Sequence, residues 1–457
     1  MKKFLQYVVV FIIIILIFNL LLLLSSLFPS SLLESNVKES SERLLVEGNF
    51  FYLNKPLNIT NNNFTDAIMI NECYSIDNTN PFFSYMSARK NYKKGFTIDE
   101  LPDTTGELIS ISSSSNPEDQ IYNTVGELDE FLDGKVTTSV EYARYWHGYL
   151  VFLRILLLFF NIMEIRYFLF GLFLFLFIFL FIILKRKLGV SFALIFSFAL
   201  IAYNYFFVFY SLESAPIFIT MMIACIVLLT RIDKLKNFYL FIFIIACISN
   251  FVDYLTVPLI TLAMPLYIYI AYIFKNKDFQ LRNSIKTVAC SCLAWGSGYA
   301  FTWLSKWVIY DVIFHKGLIA SAIQQVFYRT VSPNPIAVNT LDAVLLNFFA
   351  NASIFTTIFM AFMAFAIFFI SILSMLNKNF KWNLHMTSFS IYLKRIVPFV
   401  IIAILPIIWY VVLSNHTVLH FHFVYRHMLI FLVGILICLR NLFVVEKVKW
   451  YSGTELF

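Results

Sequence analysis

The chain has 457 residues, of which 60% are hydrophobic and only 13% charged, with 53 phenylalanines and a formal net charge of +7. A soluble protein of this length needs more charge to cover its surface, so composition excludes an ordinary cytosolic enzyme. No P-loop or dinucleotide fingerprint occurs, and the positive charge lies in short loops between apolar runs, which excludes nucleic acid as the partner.

The apolar residues fall in runs of roughly 17 to 25, the helix length that crosses a hydrocarbon core of about 30 Å. The first run, Phe4 to Leu27, follows Lys2 and Lys3 and lacks a small-residue cleavage site, so residues 1–28 read as an uncleaved anchor. Residues 29–140 are rich in Asn, Ser, Asp and Glu, with aromatic residues recurring between turn signals, and read as a folded extracellular loop of mixed α/β or α character. Residues 141–166 read as a juxtamembrane amphipathic helix, in which Arg144, His147, Arg154, Asn161, Glu164 and Arg166 interrupt an aromatic and aliphatic run. Further spans are expected at 167–184, 190–210, 216–230, 238–252, 257–274, 285–304, 352–375, 396–413 and 425–442, with 443–457 as a cytoplasmic tail. The span at 238–252 is the weakest, because Asn250 and Asp253 interrupt it, and a re-entrant pair with the next helix is an alternative there.

Counted from an inside N-terminus, lysines and arginines crowd the loops of one side. The other side holds only Lys306, Lys316, Arg329 and Arg426 outside the long first loop. That asymmetry sets both termini in the cytoplasm and residues 29–150 outside the cell. The expectation is an α-helical polytopic protein of the plasma membrane, with about ten transmembrane helices and the lipid bilayer as its constant partner. Five of the six cysteines lie in expected spans, so no disulfide framework or CxxC metal pair is available.

Five segments carry a resemblance: TDAIMINECYSID (65–77), YARYWHGYLVFLR (142–154), NFVDYLTVPLITL (250–262), GYAFTWLSKW (298–307) and NHTVLHFHFVYR (415–426). Together with one anchor, a large first loop and a bundle of short-looped spans, they resemble the GT-C superfamily of polytopic glycosyltransferases. More narrowly, they resemble a group of multi-pass membrane proteins of low-GC Gram-positive bacteria (Firmicutes). Where that pattern carries Arg-Pro after WHGY, this chain has Arg154-Ile155, which leaves the juxtamembrane helix unbroken. The resemblance implies sugar transfer at the outer membrane face. The donor would be a polyprenyl-phosphate-linked sugar, and the acceptor a cell-wall or surface glycan.

Such chemistry asks for a carboxylate base, cations for the leaving phosphate and a groove for the prenyl chain. Asp66 and Asp77 are the catalytic candidates, set against the reading that most acids of this loop are solvated or act as caps. Arg426 and Lys306 are the candidates for the donor phosphate, set against snorkelling at an interface. His147, His416, His420 and Asp253 are the candidates for a polar cavity that takes the acceptor. His416 and His420 share a helical face, yet no acidic ligand lies nearby, so no metal site is assigned and only a divalent cation at the phosphate stays open as a cofactor. Two other functions compete: a transporter or flippase of lipid-linked saccharides, and a non-enzymatic envelope sensor or assembly protein. The first leaves the large loop unexplained and lacks the internal repeats expected of transporters.

Overall fold

The computed structural model describes residues 2–54, 59–92, 123–136, 138–276, 280–330, 340–350, 382–386 and 388–447. The described residues are overwhelmingly helical. Four helices are long and apolar enough to cross a membrane, over Phe4–Ser26, Ile162–Lys187, Phe389–Val412 and Phe421–Asn441. Shorter apolar helices accompany them at Val190–Ala202, Ala215–Arg231, Phe238–Val252, Ile260–Lys275 and Thr340–Phe349. Helix α1 (Lys2–Ser26) covers the expected anchor. The expected span at 352–375 lies outside the described residues, as does most of the 443–457 tail.

The polar segment after α1 folds into small elements around its own core. Helix α2 (Glu34–Glu47) ends at Gly48 and leads into an antiparallel hairpin of β1 (Phe50–Asn54) and β2 (Ile59–Asn62), in which Phe50 pairs with Asn62. Helix α3 (Asn63–Tyr74) starts at once, because the Asn62 side chain accepts a hydrogen bond from Thr65 N and caps it. Helix α4 (Pro81–Ser87) packs against α1, and α5 (Thr124–Leu132) packs beside α3. A second antiparallel pair joins β3 (Arg89–Tyr92) to β4 (Thr138–Glu141).

The stretch expected as one juxtamembrane helix is broken in two places. Residues 142–148 form an irregular turn, with His147 in the left-handed region at φ 54°. Gly148 follows, pressed so closely on Phe251 that a Cβ would sit 2.4 Å from that residue's carbonyl oxygen. Helix α6 (Tyr149–Leu157) then runs until Asn161 starts α7 (Ile162–Lys187) with a capping box, its side chain on the Glu164 amide and Glu164 on its own. That capping signal in the sequence overrides the continuous apolar pattern.

Helices α8 (Val190–Ala202) and α9 (Tyr205–Val208) replace the single span expected at 190–210. Helices α10 (Ala215–Arg231), α11 (Phe238–Val252) and α12 (Ile260–Asn276) follow the expected positions closely. Helix α13 (Leu281–Phe314) runs 34 residues, well past the expected end at 304, and stops where His315 turns left-handed. The chain continues through α14 (Leu318–Thr330), α15 (Thr340–Phe349) and α16 (Phe389–Val412). Short helices α17 (Ser414–Leu419) and α18 (Phe421–Val424) then lead to α19 (Met428–Asn441). A third strand pair joins β5 (Trp382–Met386) and β6 (Phe443–Lys447). The tightest helix pairs are α11 against α13 and α16 against α19. One continuous apolar core joins α1, the polar segment and the bundle, so the two compositional regions share an interior.

Candidate functional site

The polar segment is pinned to the bundle by a buried arginine. Arg166, in the first turns of α7, is fully buried and its Nη1 meets the Glu47 carboxylate at 3.0 and 3.2 Å. Its Nη2 reaches Asn63 Oδ1 at 3.0 Å and Asp66 Oδ2 at 3.5 Å, and its Nε donates to the Tyr210 carbonyl at 3.0 Å. The Tyr210 ring stacks 3.7 Å from the guanidinium carbon. Asp66 is wholly enclosed: its Oδ1 accepts the Leu212 amide at 2.9 Å and its Oδ2 the Asn61 side chain at 3.3 Å. Burial raises its carboxyl to about 6, against the opposing pull of Arg166. The expected base is thus an anchor whose bond to Leu212 fixes the loop 209–214 between α9 and α10.

That loop places Glu213 at a cleft between the polar segment and the bundle. Asn62 and Thr65 approach from the start of α3, Tyr142 and Tyr145 from the turn before α6, and Tyr254 from the turn after α11. Arg329 at the end of α14, and His420, His422 and Phe423 beyond α17, close the far side. The space among these residues is about 60 Å³. Glu213 is 4% exposed, and Asn62 Nδ2 donates to its carboxylate at 3.3 Å. Burial, reinforced by the Asp66 charge, pushes its carboxyl up to about 8.

Arg426 lies behind Glu213. It is 6% exposed, its Nη1 reaches Ser214 Oγ at 3.4 Å, and its Nε has no hydrogen-bond partner. Among the described residues no carboxylate comes within ion-pair distance of this guanidinium. A buried cation without an anion is costly, and an incoming anion relieves that cost.

Arg329 is held differently. Its Nη1 is 2.6 Å from His416 Nδ1 and its Nη2 donates to Tyr145 Oη at 2.9 Å. His416 Nε2 is 3.0 Å from the Leu255 carbonyl, which can only accept, so Nε2 carries the hydrogen and Nδ1 receives one from Arg329. Burial and the adjacent guanidinium hold this imidazole far below its usual protonation range.

The other expected site residues fall elsewhere. His420 lines the cleft, with its ring 4.5 Å from that of His416. Asp77 is exposed and forms a local turn, its Oδ1 accepting from Thr79 N at 2.8 Å and Thr79 Oγ1 at 2.7 Å. Lys306 is fully buried under Trp146 and donates to the Met86 carbonyl at 2.8 Å, so it joins α13 to α4. Asp253 accepts from Thr256 N with both oxygens at 3.1 Å and caps the turn after α11, where burial raises its carboxyl to about 7. His147 belongs to a separate buried group around Glu72. Glu213, Arg329, Asn62 and Tyr254 were not singled out as site residues from the sequence. Among the described residues no three His, Cys, Asp or Glu side chains are grouped to hold a metal ion.

Below the cleft, α6, α7, α10 and α11 enclose an apolar groove of about 590 Å³, lined by residues such as Leu153, Ile165, Leu169, Ile219 and Ile248. Met69 and Leu212 line it and are the chain neighbours of Ile68 and Glu213 in the cleft. Neighbouring residues of α3 and of the loop 209–214 thus line the polar cleft and the apolar groove. Comparison with protein families, with curated proteins and with solved structures returns no match.

Proposed function

We propose that this chain is a membrane glycosyltransferase that moves a sugar from a polyprenyl-phosphate donor to an envelope glycan. In this reading about ten helices cross the plasma membrane, both termini are cytoplasmic, and residues 29–150 face outward with the cleft. The observation that carries the proposal is Arg426, a buried guanidinium with no carboxylate partner among the described residues, bonded to Ser214 next to Glu213, in a loop whose flanking residues Leu212 and Ala215 line the apolar groove. The phosphate of the donor neutralises Arg426, with Ser214 Oγ alongside, and its isoprenoid tail lies between α7 and α10. The acceptor hydroxyl oxygen attacks the anomeric carbon, and the bond from that carbon to the phosphate oxygen breaks. The electron pair leaves with the polyprenyl phosphate, and the acceptor proton passes to the Glu213 carboxylate. A carboxyl held near 8 is matched to that task close to neutral pH. Tyr142, Tyr145 and Phe423 supply aromatic faces for sugar rings.

The test compares wall glycans and lipid-linked sugars in a deletion strain with strains carrying Arg426→Ala, Glu213→Gln or the surface control Asp77→Asn. The expected result is loss of a sugar substituent and accumulation of its donor in the deletion and in the first two variants, with Asp77→Asn behaving as wild type. Unchanged glycans in the deletion strain, or full function with Arg426→Ala, would overturn the proposal. Donor that crosses the bilayer without being consumed would favour a flippase.

A further inference from the structure

We infer that Glu72, His147, Tyr149 and Tyr254 form a buried proton-sharing group that adjoins the cleft at Tyr254. Its geometry stands by itself, and its role in catalysis rests on the transferase reading. Glu72, on α3, is fully buried. Its Oε2 accepts from the hydroxyls of Tyr149 and, at 3.0 Å, Tyr254, and lies 3.1 Å from His147 Nδ1. The two tyrosine hydroxyls also bond to each other. Oε1 of the same carboxylate has no hydrogen-bond partner among the described residues, so all the contacts of this group converge on Oε2.

The tautomer of His147 follows from its other nitrogen. Nε2 lies 2.6 Å from the Tyr142 carbonyl, which accepts only, and so it carries a hydrogen. Nδ1 then has two states: an acceptor from a tyrosine hydroxyl, or a second donor to Glu72. These correspond to a neutral ring beside a carboxyl and an imidazolium beside a carboxylate, and they differ only in where one proton sits. A proton from the cleft binds the Tyr254 oxygen as that hydroxyl's own proton passes to Glu72, and the reverse transfer restores the start. Lys306 from α13, Cys73 beside Glu72, and Tyr142 and Tyr145 from the turn before α6 are the other titratable groups around it among the described residues.

The backbone points the same way. His147 and Leu255, the latter directly after Tyr254, both lie in the left-handed region at φ 54° and 68°. For residues other than glycine each is a strained backbone position. Glycine at 147 would remove that strain and the imidazole with it, so the strained histidine is the form that keeps the proton site intact. Glu72 is accordingly a positioning residue that acts through Tyr254, whose ring forms part of the cleft wall opposite Glu213.

Two measurements on the full chain in lipid nanodiscs test this. With ring-¹⁵N histidine, the His147 signal is identified by its loss in His147→Gln. Its Nδ1 resonance should lie between those of a protonated and an unprotonated nitrogen in the wild type and collapse to that of the Nε2–H tautomer in Glu72→Gln. An unchanged Nδ1 signal in Glu72→Gln overturns the inference whatever the activity. In the transfer assay, Tyr254→Phe and Glu72→Gln should each lower kcat by about a hundredfold, leave KM for the lipid donor unchanged and shift the pH profile. The double variant should be no worse than either single one. Multiplying losses, or a rise in KM alone, refute the relay. If the resonance responds as expected but the wild type transfers no sugar, the transferase reading fails and the proton-sharing group stands.

Discussion

Replacing Arg166 by methionine should destabilise the junction between the polar segment and the bundle more than any other single change there. The substitution removes the cation from Glu47 and Asp66 and the donor from Asn63 and the Tyr210 carbonyl, all in a fully buried position. Breaking a buried pair by deleting one partner costs about 3–5 kcal/mol, because the remaining charge loses its compensation. Here the deletion leaves two carboxylates. Asp66, already held at about 6, can take up a proton, whereas Glu47 is held below its usual range despite its burial, since Arg166 and hydrogen bonds from Tyr210 and Asn63 oppose it. The loss should therefore lie near the top of that range at pH 7.5 and shrink at pH 5.5, where protonated Asp66 no longer needs a counter-charge. The assay is the half-life of irreversible unfolding in detergent micelles at fixed temperature. About 4 kcal/mol shortens it by up to roughly a thousandfold if the whole effect falls on the unfolding step. The triple variant Arg166→Met, Asp66→Asn, Glu47→Gln should recover most of the loss, since it removes the stranded charges. A triple variant as unstable as the single one, or a loss independent of pH, would show that packing and not charge holds this junction.

Two further outcomes follow from the same interior. Glu213 is held at about 8 when folded against an ordinary value near 4.5, so the folded state binds its proton more tightly. Its contribution is fully present below about pH 4.5 and is lost as pH rises through about 8, so unfolding should quicken from pH 6 to pH 9, and Glu213→Gln should weaken that dependence, leaving the part due to Asp66 and Asp253. The transfer rate should move the other way, rising through about pH 8 as the carboxylate forms, and a rate that falls there would remove Glu213 as the base. Gly148→Ala forces a Cβ to within 2.4 Å of the Phe251 carbonyl oxygen, which also accepts the Gly148 amide at 2.7 Å. The expected cost is about 1–3 kcal/mol, read as a shorter unfolding half-life, and an unaltered half-life would mean that the turn at 142–148 yields easily.

How much of this was legible in the sequence differs by element. Helix α11 ends at Val252 because Asp253 caps the next turn, and both limits could be read from residues 238–253. The break at Asn161 could also be read, as Asn followed three residues later by Glu, but the apolar pattern on both sides concealed it. The length of α13 was underestimated because Lys306 and Asp311 suggest an exit from the membrane, which is a statement about lipid and not about the helix. The cleft was harder still. It joins Asn62 to His422 across 360 positions, and no local spacing encodes such a meeting. Glu213 had one weak signal: it is the lone acid between the apolar runs of α8 and α10, where an unneeded charge is expensive. Asp66 and Asp77 looked equivalent as acids flanking an apolar segment, and only burial separates an anchor from a surface turn.

Helix α13 has a mechanical consequence. Its 34 residues extend about 51 Å, some 20 Å more than a hydrocarbon core is thick. Its last third receives the polar segment through Thr302 O from Trp146, Trp303 and Trp307 onto the Arg144 carbonyl, and Tyr310 onto Glu141. The docking face is thus a strip along one rigid rod, and its bearing is fixed by how many residues separate it from the partners of α11. Inserting one residue near position 296 would turn that strip by about 100° and lift it by about 1.5 Å. The polar segment would then face the wrong way while each helix remained intact. The height and heading of the cleft are accordingly set by this one helix, like a lamp on a post.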